Sequence, residues 1–84
     1  MILQTFDHAK LKLLFSDGRT FVCTEDSHYK VWTVAQKGNE VVVQWGRIGN
    51  KIQDQTKKFY NDFSAKRFIN EKIEEKKKKG YVEI

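Results

Sequence analysis

Proline is absent from these 84 residues, cysteine occurs once and glycine only five times. With no proline, no Gly/Ser-rich stretch and no internal repeat, nothing marks a linker, and the chain reads as a single domain. The lone cysteine, Cys23, excludes an internal disulfide and leaves no second thiolate for a metal cluster. No spacing joins Cys23, His8 and His28 into a metal site or nucleophile pair, and Asp7 beside His8 is too little for a dyad. Long apolar runs are also missing. Met1 to Lys10 lacks the sustained stretch of a signal peptide, and no segment approaches membrane-spanning length. These absences predict a protein of a reducing, intracellular compartment with no membrane partner. That means cytoplasm or nucleoid in a bacterium and nucleus in a eukaryote. No paired-carboxylate motif, Ser/Cys–His constellation or phosphate-cradling loop is found, so the expectation is a non-catalytic monomer without cofactor or metal.

What is present is aromatic and basic. Six Phe, three Tyr and two Trp supply large buried areas. A domain this small needs them, because it removes only roughly 60–65% of its unfolded surface from water. The net charge of +5 is unevenly spread. Residues 1–56 carry seven basic and six acidic groups, residues 57–84 nine and five. A basic surplus favours polyanionic partners through counterion release, although +5 alone is a weak pointer.

Local patterns predict the elements. Leu11 to Phe15 is apolar-rich, Ser16-Asp17-Gly18-Arg19 has turn chemistry, and Thr20 to Thr24 suits a short strand ended by Glu25-Asp26-Ser27. His28 to Ala35 and Glu40 to Trp45 are β-branched and aromatic, joined by Gln36-Lys37-Gly38-Asn39 as a hairpin connection. Gly46 and Gly49 bracket a second tight region, after which Ile52 to Tyr60 reads as a polar, edge-like strand of a three-stranded meander. From Asn61 the period becomes helical. Asn61 is the N-cap, Asp62 complements the dipole, and Ala65, Phe68, Ile69 and Ile73 form an apolar stripe. Lys76 to Lys79 occupy the last turns, Gly80 terminates the helix, and Tyr81 to Ile84 resumes strand-like alternation. The predicted fold is α+β: a small antiparallel sheet with one long C-terminal helix packed across one face.

The segment Val41-Val42-Val43-Gln44-Trp45-Gly46-Arg47-Ile48-Gly49 resembles the WGR domain, found in poly(ADP-ribose) polymerases and various bacterial proteins. Tyr29-Lys30-Val31-Trp32 looks like the family's strand of lysine plus aromatics. Gly49-Asn50-Lys51-Ile52-Gln53 occupies the place of its Gly-x-x-Gly-Gln turn, with Ile52 where the second glycine usually stands. Asn61 to Ala65 resembles the helix start, and Lys79-Gly80-Tyr81 the closing pattern, so the resemblance covers residues 28–84 in order. Residues 1–10 show little of it and are expected to be a loose arm, with 11–84 as the domain.

The resemblance implies a module that binds DNA, or RNA, at ends, nicks or gaps without sequence specificity. It implies none of the polymerases' ADP-ribosylating chemistry, which belongs to a separate catalytic domain. The family's tryptophan is associated with DNA termini, a role carried over to Trp45, whose indole could stack on a sugar or base. The arginine is associated with neighbouring domains and bracing, so Arg47 is divided between nucleic acid and the docking of a partner. Gly46 shapes the backbone and leaves room for approach to Trp45. Lys30, Lys37, Lys51, Lys57 and Lys58 are candidates for phosphate neutralisation. Two blander readings stand beside these. Trp45 shares strand parity with Val41 and Val43 and could be buried; Trp32 is expected in the core. Lys76 to Lys79 is expected to be a solvated helix end whose side chains splay around the axis.

Overall fold

The computed structural model of the chain describes residues 18–24 and 29–84. The expected arm, the Leu11–Phe15 stretch, Ser16 and Asp17, the break at 25–27, and Asp7, His8 and His28 lie outside the described residues. In chain order the elements are β1 (Arg19–Cys23), β2 (Lys30–Lys37), β3 (Glu40–Arg47), β4 (Gln53–Lys58), α1 (Asp62–Lys78) and β5 (Val82–Glu83). The strands form one antiparallel sheet in the order β4-β3-β2-β1-β5. The predicted α+β architecture is thus observed: the expected three-stranded meander is extended by β1 and β5, where the sequence reads a short strand at Thr20 to Thr24 and strand-like alternation at Tyr81 to Ile84.

The β2–β3 hairpin turns on Gly38 and Asn39 alone; Gln36 and Lys37 belong to the strand. Asn39 also ties the hairpin to the far strand: its Nδ2 donates to the Phe59 carbonyl at 2.8 Å, and its own carbonyl accepts from the Phe59 N–H at 2.8 Å. β2 is the central strand, and every residue from Val31 to Ala35 is buried, as a strand covered on both faces requires. Alternation divides it. Trp32 and Val34 join Phe21, Val41 and the helix residues Ala65, Ile69 and Ile73 in one core. Thr33 faces the other way, and its hydroxyl donates to the Thr20 hydroxyl oxygen at 3.2 Å.

The helix begins where its local signals put it. Asn61 is extended at φ −154° and ψ 176°, and its Oδ1 accepts the Ser64 N–H at 2.8 Å. Asn61→Ala should therefore lower stability by about 1 kcal/mol. That is a fall in thermal midpoint of roughly 4–8 °C for a domain of this size, readable by circular dichroism. The helix ends at Lys79, followed by Gly80 at φ 96°, whose N–H returns to the Lys77 carbonyl at 3.1 Å.

Of the expected turn at Ser16-Asp17-Gly18-Arg19, the described part shows Arg19 as the first residue of β1, held by pairing with β2 and by a fork onto β5. Its Nε and Nη2 donate to the two carboxylate oxygens of Glu83 at 2.8 and 2.7 Å. That hydrogen bonding, opposed by partial burial and aided by the carboxylate charge, raises the guanidinium's pKa further.

Candidate nucleic-acid interface

Register assigns each candidate side chain to a face. Trp32 lies opposite Trp45 and Lys30 opposite Arg47, so these four residues share the helix side of β2 and β3 by alternation. Trp45 lies in turn opposite Gln53, Val43 opposite Gln55 and Val41 opposite Lys57, which brings Lys57 to the same side. Lys58 falls on the other face, opposite Glu40. Lys37, also paired with Glu40, sits at the Gly38 end of the hairpin, far along β2 from Lys30. Lys51 lies exposed in the turn between β3 and β4.

Helix α1 crosses this face without covering all of it. Between the helix and β4 runs an open groove of about 290 Å³. Trp32, Val43 and Trp45 form its floor; Lys57 stands on the β4 side, Lys72 and Lys76 on the helix side. Trp32 is nearly fully buried, as expected. Trp45 is partly buried, packed against the core on one side while lining the groove on the other. The expected burial of Trp45 on strand parity is therefore only partial.

The lysines are drawn down onto aromatic rings. Lys57 Nζ lies 4.9 Å and Lys72 Nζ 5.8 Å from the Phe68 ring centre. Lys76 Nζ lies 5.6 Å from Trp32 and 5.1 Å from Tyr81. Such contacts orient each ammonium and let its stem cover apolar surface. Among the described residues no carboxylate lines the groove, although Glu75 approaches Lys72 from outside at 3.6 Å. Burial first, then the neighbouring charges of Lys79, Lys72 and Lys30, hold the Lys76 pKa below its ordinary value against the pull of Glu75. Crowded, partly desolvated cations of this kind are relieved by an anion.

Lys72 and Lys76 were not anticipated. Of the terminal run, Lys77, Lys78 and Lys79 are exposed, as the expected splay requires, but Lys76 turns inward. The signal was available: Phe68, Lys72 and Lys76 recur every four residues along the flank of the Ala65–Ile69–Ile73 stripe.

Gly46 is used differently from the expectation. The space above it is filled by the chain's own turn, not left open. A Cβ there would lie 3.2 Å from Ile52 Cδ1 and 3.2 Å from the Lys51 carbonyl oxygen. The turn is further fixed by Ile48 N–H on the Tyr29 carbonyl at 2.7 Å and Asn50 N–H on the Arg47 carbonyl at 3.0 Å. Gly46→Ala should cost about 1–3 kcal/mol through overpacking. Its signature is a lowered thermal midpoint with the amide shifts of Lys51 and Ile52 displaced most, which two-dimensional NMR reads directly.

Comparison with known proteins identifies a family and relatives of the chain. The WGR domain family model matches residues 19–84. The match begins at β1, earlier than the residues that carry the resemblance in sequence. Protein YehF of Escherichia coli K12 is 40% identical over 65 residues, which cover 77% of this chain and 24% of that protein. A crystal structure of a Bacteroides fragilis protein superposes with a TM-score of 0.75 at 36% identity, covering 80% of this chain and 19% of that one. The chain thus spans about a quarter or less of the length of these relatives. With the match running from β1 to the last residue and so taking in the whole sheet, the closing helix and the Trp45-Gly46-Arg47 corner, the chain belongs to the WGR domain family, whose members are generally nucleic-acid-binding or interaction modules without catalytic machinery.

Proposed function

We propose that the domain binds nucleic acid, DNA in the first place, at ends, nicks or gaps and without sequence specificity, and that it catalyses nothing itself. The observation that carries this is the groove: a tryptophan floor with Lys57, Lys72 and Lys76 around it and, among the described residues, no carboxylate in its lining. Aromatic faces take bases or sugars whatever the sequence, while lysines neutralise phosphates. Lys30 and Arg47 extend the basic surface from the end of the groove. Fluorescence anisotropy with blunt, nicked and continuous duplexes tests it. Binding should be strongest to interrupted DNA and fall steeply with salt, and Trp45→Ala should weaken end binding more than internal binding. Absence of binding to any DNA at low salt would refute the proposal.

A second function is favoured by one feature. Tyr29 and Ile48, 54% and 38% exposed, sit beside Arg47 at the corner where β2 begins and β3 ends. An apolar pair next to an arginine suits the docking of a neighbouring domain or partner protein. Stoichiometric capture of one protein from nuclease-treated extract, lost in Arg47→Ala and kept in Trp45→Ala, would favour docking over nucleic acid.

A further inference from the structure

Resting on the nucleic-acid reading above, we infer that the groove between α1 and β4 receives an unpaired nucleotide, so that the domain prefers single-stranded nucleic acid, or a strand tail at a terminus, to a fully paired blunt end.

Three features point this way. The first is where the aromatic surface lies. Trp32 is 4% exposed and Trp45 partly buried, and both rings line the groove. Capping the end of a base-pair stack needs a ring presented on open surface. Among the described residues the aromatics so presented, Tyr29 at 54%, Tyr60 at 93% and Phe63 at 74% exposed, lie outside the groove lining. The second is size. A volume of about 290 Å³ stands at the small end of the range that accepts one organic ligand, which suits a single nucleotide and not a base pair with its neighbours.

The third is the arrangement of polar groups. Lys57 on the sheet side faces Lys72 and Lys76 on the helix side, so positive charge lies on both walls of a channel that one strand can follow. Gln55, in the β4 wall, brings an amide that both donates and accepts. The edge it would meet is free only when a base is unpaired. A stacking floor within a basic channel is the arrangement by which single strands are held without regard to sequence.

The test compares three probes: a thymidylate oligonucleotide of about ten residues, a blunt duplex of similar length, and that duplex with a short thymidylate tail. Tryptophan emission and anisotropy are followed as salt is raised. The oligonucleotide and the tailed duplex should quench tryptophan and bind about ten-fold or more tighter than the blunt duplex, the range expected from stacking one base. Their salt slope should be near 0.7 for each lysine engaged, and Lys57→Gln should lower it by about that amount. Because Lys57 is on an exposed edge strand, that variant tests contact without threatening the fold. Equal binding of blunt and tailed duplexes, with no quenching by the oligonucleotide, would overturn the inference and leave duplex binding standing. Failure of all three probes to bind would remove both.

Discussion

Replacing Lys72 and Lys76 together by glutamine will weaken nucleic-acid binding roughly thirty-fold at moderate salt, taking about 1 kcal/mol for each lost phosphate contact. The salt slope should fall by about 1.4 to 1.8, the sum of two contacts on single-stranded or double-stranded ligand. The necessary control is Lys77→Gln with Lys78→Gln, which removes the same formal charge from the same helix end. Those two side chains are exposed and line no part of the groove. If affinity follows net charge alone, the two double variants will weaken equally, and the groove is not the binding site. If it follows position, the control will change the slope little.

The fold should survive the first substitution. Lys72 gives up an ion pair to Glu75 at 3.6 Å between half-exposed partners, a pair of the class that contributes well under 1 kcal/mol. Lys76 gives up its contacts over Trp32 and Tyr81, but glutamine keeps part of the stem that covers those rings. Circular dichroism should show a native spectrum for both double variants. Binding, and not folding, is then what distinguishes them.

How far the sequence discloses these features depends on the range over which each is determined. The helix is set by neighbours: Asn61 caps it, an apolar stripe runs along it, and Gly80 ends it, so both boundaries were legible. The β2–β3 hairpin is likewise local. Strand β5 was legible as a strand from the alternation of Tyr81 to Ile84, but its partner was not, because two residues pair with β1 some 60 positions away and no local pattern records that contact. Lys57 and Lys58 are adjacent, and the period of two puts them on opposite faces. Which of them meets the groove depended on the register of β4 against β3. Gly46 carried a glycine signal whose cause could not be read, because Ile52 returns over it only in three dimensions. Composition hid the groove for a similar reason. Lys76 belongs to an ordinary-looking basic helix end, and only the rotation of α1 above Trp32 separates it from its three neighbours.

The largest loss of stability is expected from Phe21→Ala, about 3–5 kcal/mol. Phe21 is fully buried at the middle of β1, 5.6 Å from the Trp32 ring centre, and belongs to the core that Ala65, Ile69 and Ile73 close from above. It also pairs with Glu83, so the strand that closes the chain leans on the same position. A domain of this length has roughly 4–12 kcal/mol of stability in all, so the variant will be marginal at 37 °C, with a thermal midpoint lowered by about 12 °C or more. Phe63→Ala supplies the contrast. That ring is 74% exposed at the start of α1 and should matter by no more than about 0.5 kcal/mol. Chemical denaturation of the two variants decides the point: similar midpoints would mean that the β1 side of the sheet contributes little to the core. Loss of Phe21 should also reach the groove, since Trp32 rests on Phe21 below and carries Lys76 above. Near the unfolding midpoint, nucleic-acid affinity should decline in step with the folded fraction, whereas the Lys72/Lys76 variant loses affinity while fully folded.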